Sequence, residues 1–345
     1  MSSVKEYKCP NCNAPLEFNP PTQNWKCHYC ASEFNLEQVN KVHRDEASDQ
    51  DMQELDSYKC SSCGAELIAD STTSATFCLY CKSPAIIKTR FSGKFKPKSV
   101  IPFRITKDQA KEIYKNWITK KLFAPKKFKL KEEIDKVTGI YAPFWLFDCK
   151  VVGVISGEGT TVTSWREGNY RCTSTKYYLV TRRGAAFYKR VPVDASKKLD
   201  DYFMYLAEPY DYSDLKDFSM KYMSGFMAER YDVESDRAEF SMKARVQTYF
   251  EERLINTISG YSSFSVREKN INISNIEASY AMLPIYLLIN KFNGKDHVFI
   301  INGQTGKVVG DTPISLLRQF VFALIVFVVV WIICVFGGCF ICLKN

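Results

Sequence analysis

Four CxxC pairs in two identically spaced sets, a strand-rich central region and an uncharged apolar run from Gln319 to Leu343 predict the fold class. The chain reads as multidomain: two small four-cysteine zinc ribbons, a mixed α+β body and one C-terminal transmembrane helix. Its 345 residues are enough for two or three compact domains with a sizeable core. The 20 Tyr and 24 Phe argue against general disorder.

The cysteine sets are the sharpest signal. Cys9, Cys12, Cys27 and Cys30 repeat at a constant offset as Cys60, Cys63, Cys78 and Cys81. The repeat extends to neighbours, with Tyr7-Lys8 matching Tyr58-Lys59 and Ala14 matching Ala65. A CxxC turn puts two thiolates on one side of a knuckle, and two knuckles at the ends of a short hairpin close a tetrahedron around a metal ion. All eight cysteines are therefore expected ligands, for two Zn2+ ions, one per ribbon. Iron in a rubredoxin-like site is the alternative metal. Four thiolates fill the coordination sphere and leave no open position for substrate, so a catalytic metal is not expected. His28 sits inside a knuckle whose four places are already taken, and is expected at the surface.

The start of the chain, Met1-Ser2-Ser3-Val4-Lys5-Glu6-Tyr7, has no apolar signal segment. Paired cysteines without an export signal read as reduced metal ligands, which places the N-terminal domains in the cytoplasm.

The ribbons are expected over residues 1–38 and 57–90, with a polar linker at 39–56. A basic, partly helical stretch covers 91–137. Between Lys88 and Lys136 stand 16 Lys/Arg against 5 Asp/Glu, a local balance of +11 that exceeds the +9 of the whole chain. Such a stretch attracts nucleic acid, anionic lipid or an acidic protein alike. Within it Thr106 reads as the N-cap of a helix over Lys107–Lys121, with Ile113, Trp117 and Ile118 on one face.

The α+β body is expected over 138–315. Ile140–Ile155, Thr160–Trp165, Tyr177–Arg182 and Ala185–Pro192 read as strands with glycine punctuation. Ser213–Arg230 and Glu234–Asn256 read as helices. Strands return at Ile271–Ile276, Tyr280–Lys291 and His297–Ile301, and Asn302–Gly306 is a tight turn before a short strand at Lys307–Gly310. The run over 319–343, flanked by Arg318 and Lys344, is long enough for the roughly 30 Å hydrocarbon core and reads as a tail anchor. The expected location is the cell membrane, single-pass, with the rest facing the cytoplasm.

Enzyme signatures are absent from the sequence. The three histidines, His28, His43 and His297, form no HExxH and suggest no nucleophile–base pair. Gly303-Gln304-Thr305-Gly306-Lys307 fails the phosphate-loop pattern, with Ile301 in place of its first Gly and Val308 in place of Ser/Thr. No catalytic residue is expected and the protein is read as a non-enzyme.

Four further stretches carry a family resemblance: Ile101-Pro102-Phe103, Tyr141–Asp148, Val191–Lys198 and Asn302–Lys307. Together with the doubled ribbons they resemble the bacterial TFIIB-type zinc-ribbon membrane proteins, and within them the YdjG-like members. Relatives are often labelled PriA-like helicases, but this chain has neither a Walker A loop nor a DEAD-type box, so helicase activity is rejected. The resemblance implies a membrane-anchored interaction scaffold or adaptor in a phage-shock-type envelope-stress complex. Its expected partners are a PspA-like cytoplasmic or membrane protein and, through the C-terminal helix, bilayer lipid. The alternative is a membrane-tethered nucleic-acid-binding protein; Phe91, Phe95 and Phe103 near the basic stretch are expected first in the core and, under this alternative, as stacking residues.

Overall fold

The computed structural model describes residues 4–43, 57–59, 66–68, 73–77, 84–87 and 95–342. Three long strands organise it: Thr138–Glu167, Tyr170–Asp194 and Ser263–Phe292. The first is central and pairs antiparallel with the other two, one on each side. Gly168, at φ +61°, makes the tight turn between the first two. Lys295–Asn302 and Val308–Gly310 extend the sheet beyond the third. On the other side Met227–Glu229 runs parallel to the start of the central strand and links through Thr73–Phe77 and Pro84–Ile87 to Val4–Lys5.

The two ends of the long strands differ in burial. From Gly139 to Phe147 every residue is buried, because this part of the sheet is covered on both faces. One face packs Phe103, Tyr141 and Tyr286; the other packs Ile140, Phe144 and Leu283 against the short helix Asp201–Ala207. Toward Glu167 the strands continue as a three-stranded arm with one covered face. The helix Ser235–Ile255 lies there, burying Ala238, Met242, Val246, Phe250 and Leu254 in one stripe at four-residue spacing.

The strands expected as separate segments are continuous, which corrects the mixed α+β expectation: 42% of the described residues are strand and 29% helix, so the protein is sheet-dominated. The glycines explain the difference. Gly157, Gly159 and Gly184 fall between the expected segments, but they, like Gly153, sit inside strands where another element comes close. A Cβ at Gly153 would lie 2.9 Å from the Phe250 ring, and one at Gly184 would lie 3.0 Å from Leu254. At Gly159 it would lie 2.7 Å from the Tyr261 ring. Gly157 is the tightest, 2.1 Å from the Ser265 carbonyl oxygen, at a register shift in the pairing. Gly157→Ala is therefore expected to lower stability by about 1–3 kcal/mol or more, since backbone cannot rotate aside. A urea midpoint equal to that of the wild type would refute this close approach.

The expected helix at Ser213–Arg230 is also corrected. That segment holds two short 3-10 turns and two short strands. Gly225 takes φ +91°, and the Ser224 carbonyl accepts from Phe18 N instead of closing a helical turn. The helix Lys107–Thr119 forms as expected, with Thr106 and Gln109 in a reciprocal capping box. Its fully buried stripe is Ala110, Tyr114 and Ile118, with Ile113 and Trp117 at the margin.

The C-terminal run forms the helix Leu316–Cys342. Among the described residues no helix is long and apolar enough to cross a membrane. The first turns of the C-terminal helix are docked on the body: Arg318 donates to the Ala124 carbonyl, and Phe322 meets Phe123 edge-on at 5.5 Å. This overturns the expected transmembrane helix at 319–343, and with it the tail anchor and the single-pass location.

Candidate metal centre

The first cysteine set is built on a small sheet. Leu16–Asn19 and Asn24–Cys27 form a hairpin, and Glu33–Phe34 adds a third strand. Each CxxC pair precedes a residue in the left-handed region: Asn13 at φ 61° after Cys12, and Ala31 at φ 58° after Cys30. These turns fold the chain back, with Cys9 N donating to the Ala14 carbonyl and Cys27 N to the Ser32 carbonyl. Local backbone geometry thereby aims both pairs of thiols at one point.

The four Sγ atoms of Cys9, Cys12, Cys27 and Cys30 all lie within 4.8 Å of one another. Cys9 and Cys30 are 3.6 Å apart, and Cys12 and Cys27 are 3.4 Å apart. A tetrahedron with metal–sulfur bonds of about 2.3 Å has edges of about 3.8 Å. The four are free cysteines, well outside the roughly 2.05 Å of a disulfide. Cys9 and Cys27 are buried while Cys12 and Cys30 face outward. The set is close enough to bind one metal ion, and its donors fit a thiophilic one.

The protonation balance inside the set is uneven. Hydrogen bonds from the Ser32 hydroxyl and backbone hold the Cys30 thiol down at about 6. The Ala14 backbone N–H pulls Cys12 the same way, but desolvation and the other three thiols outweigh it and push Cys12 up to about 12. Four thiolates repel one another unless a cation stands among them. His28 lies outside the set, exposed and 3.2 Å from Glu17 Oε2, as expected.

The inner side of this ribbon is clamped to the body. Trp25 is fully buried, and its indole N–H donates to the Lys221 carbonyl at 2.9 Å. Phe18, Trp25 and Tyr222 form a cluster with centroids 5.2 to 5.3 Å apart. Gln23 donates to the Phe103 carbonyl at 2.8 Å, and Ser224 donates to the Leu16 carbonyl. Sequence reasoning missed this interface. The unusual aromatic content of the hairpin, Phe18 and Trp25 in so small a module, was the available signal.

The second set, Cys60, Cys63, Cys78 and Cys81, lies outside the described residues. Flanking strands are described: Ser57–Lys59 pairs with Glu66–Ile68, and Thr73–Phe77 joins the main sheet. Among the ribbon aromatics, Tyr29 is 88% exposed, Phe34 is half-buried, and Tyr80 lies outside the described residues. Of the expected stacking residues, Phe103 is wholly buried, Phe95 packs on Tyr231 beneath Arg230, and Phe91 lies outside the described residues. Acids of the basic stretch pair with some of its lysines, Lys111 with Asp135 at 2.9 Å and Lys136 with Glu133 at 2.7 Å, and leave its positive surplus in place.

Three of the four stretches that carry the family resemblance meet at one place. Arg104 N and Ile105 N donate to the Gly303 carbonyl, and the Phe103 ring packs edge-on to Tyr141 at 4.9 Å. The Asn302–Gly306 turn is held by Asn302 Oδ1, which accepts from Gln304 N and Thr305 N, while Asn302 Nδ2 donates to the Ala207 carbonyl. The turn joins two antiparallel strands, Lys295–Asn302 and Val308–Gly310, where a phosphate loop joins a strand to a helix.

No family model matches the chain, and no solved structure matches it significantly. Fold and site define a four-cysteine ribbon protein whose ribbon is seated on a long-stranded β body. Over 342 residues it is 36% identical to the uncharacterized protein YdjG of Bacillus subtilis (strain 168), covering 99% of this chain and 97% of that one. The chain belongs to the YdjG family.

Proposed function

We propose that this protein is a non-enzymatic zinc-ribbon scaffold or adaptor that presents recognition surfaces to a protein partner. The observation that carries this reading is the seating of the ribbon. Its aromatic side is locked into the body, and its knuckles and Tyr29 point outward. Four thiolates leave a bound ion no open coordination position, which favours a structural metal over a catalytic one. Zn2+ is the ion this donor set suits, and the repeated spacing assigns a second Zn2+ to Cys60, Cys63, Cys78 and Cys81.

The arm adds a second surface. Val152, Val162, Tyr177, Leu179 and Phe187 share, by register, the face turned away from the helix Ser235–Ile255, and all are exposed, Leu179 to 82%. Apolar side chains gathered on an uncovered face mark an interaction surface. A phage-shock-type protein, implied by the family resemblance, is the first partner to test.

Tagged full-length protein recovered after nuclease treatment is expected to bring down a specific protein, identified by mass spectrometry. Tyr29→Ser with Leu179→Ser is expected to lose it at unchanged melting temperature. Equal recovery by that variant refutes the reading. Nuclease-sensitive recovery of nucleic acid in place of protein would also overturn it.

A further inference from the structure

The arm of the sheet has an open edge. Tyr170–Asp194 pairs with the central strand alone. The helix Ser235–Ile255 comes over this strand at Gly184, against Leu254. Along Tyr170–Arg183, beyond that point, the outer side of the strand pairs with no other strand among the described residues. In an antiparallel strand every second residue turns its backbone N–H and C=O away from the partner. Those groups form a row of donors and acceptors in the geometry of the next ladder.

Natural sheets keep such edges short, or interrupt them with proline or a bulge. Neither device is present here. The open stretch is more than twice the usual strand length of about 5–6 residues. It contains no proline, and its ladder to the central strand runs from Tyr170 to Arg183 without a register shift. What it carries is charge of one sign: Arg171, Lys176, Arg182 and Arg183, with no Asp or Glu among them. Their register partners are Arg166, Thr161, Ile155 and Val154, so no acid stands opposite, and none of the four forms an ion pair among the described residues. The acids of this part of the central strand are engaged elsewhere, Glu158 by Arg267 and Glu167 by the Cys172 thiol at 4.0 Å. The strand on the other side of the arm differs, since its Arg267 and Lys269 are bound to Glu158 and Glu251.

The charge selects the occupant. A second copy pairing edge to edge would set these cations against their own images, which is repulsive. An acidic segment gains where a copy loses. By alternation Lys176 and Arg182 lie on one face of the sheet and Arg171 and Arg183 on the other, with Tyr177 and Leu179 exposed between these last two. An added strand that alternates acidic and apolar residues meets cations with one face and Tyr177 and Leu179 with the other. We propose that Tyr170–Arg183 is the docking edge for an extended acidic segment of a protein partner, which adds to the arm as its fourth strand. This rests on the adaptor reading above and names the chemistry of what the adaptor holds.

The test titrates purified full-length protein with three labelled, end-blocked peptides of about ten residues, followed by fluorescence anisotropy. One alternates Glu with Val, one alternates Lys with Val, and the third is the Glu–Val peptide methylated at every backbone nitrogen, which keeps the charges and has no N–H to donate. Saturable binding of the Glu–Val peptide is expected, at least about tenfold tighter than either of the others. Lys176→Glu with Arg183→Glu, both exposed, is expected to weaken it by about tenfold or more at unchanged melting temperature. Equal binding of the methylated peptide overturns the proposal, because charge alone then suffices. So does undiminished binding by the double variant, absence of saturable binding to the wild type, or tighter binding of a single-stranded oligonucleotide than of the Glu–Val peptide. If the peptide fails while a protein partner is still recovered with the tagged chain, the docking edge falls and the adaptor reading stands; if no partner is recovered either, both fall.

Discussion

Stripping the metal from the Cys9–Cys12–Cys27–Cys30 set is expected to produce the largest single loss of structure in this protein. Metal binding in small four-cysteine modules contributes apparent free energies of about 10–16 kcal/mol, because the unfolded chain holds no site. The ribbon here has few buried residues of its own, and its sheet strands are two to four residues long. Without the ion, the left-handed turns at Asn13 and Ala31 have no thiolate geometry to hold them. Loss of the hairpin then exposes Phe18 and Trp25 and uncovers Tyr222 on the body. Cys9→Ser with Cys27→Ser should therefore drop the melting temperature sharply and open the 4–43 region to limited proteolysis. Cys12→Ser alone, at an outward position, should do less. Metal analysis should show one ion fewer per chain in the double variant. Unchanged metal content and protease resistance would show that the four thiols are not a metal site.

Phe103→Ala is the second large effect. The ring is wholly buried and stacks on Phe226 with centroids 4.1 Å apart and planes 8° from parallel. It also meets Tyr141 and Tyr286, each at 4.9 Å. Gly303 has no side chain because this ring fills its space: a Cβ there would lie 2.6 Å from it. Truncation leaves a cavity bounded by three aromatic rings and a turn that cannot collapse into it. Phe-to-Ala changes of this kind cost about 3–5 kcal/mol. The loss should appear as a lower urea midpoint with an unchanged denaturant slope. A shift worth under about 1 kcal/mol would mean that the neighbouring rings repack, and that the meeting point of the family stretches is softer than its geometry implies.

Signals confined to a few neighbouring residues were legible. Cysteine spacing located the thiol set, because a knuckle is a local backbone shape. Thr106 announced a helix start for the same reason, as did Asn302–Gly306 a turn. The helix Ser235–Ile255 was also readable, since its length and charge pattern needed no partner to be recognised.

What failed to be legible depends on residues far apart in the chain. Glycines 157, 159 and 184 read as breaks, because no sequence window shows the helix and strands that approach them. Phe103 read as a core residue, with base stacking as the lesser alternative, but its actual cover, Phe226 and Tyr286, lies more than a hundred residues away and was not legible. The apolar run at 319–343 read as a membrane span from hydropathy alone, whereas the described helix begins docked against Phe123 and Ala124. By itself, then, the sequence determined the first thiol set, the Thr106 cap and the Asn302–Gly306 turn, where sterics act within one or two turns of chain. Only the tertiary structure decided the long continuous strands, the seating of the ribbon and the open edge of the arm, because pairing and burial are properties of what packs across a distance in sequence.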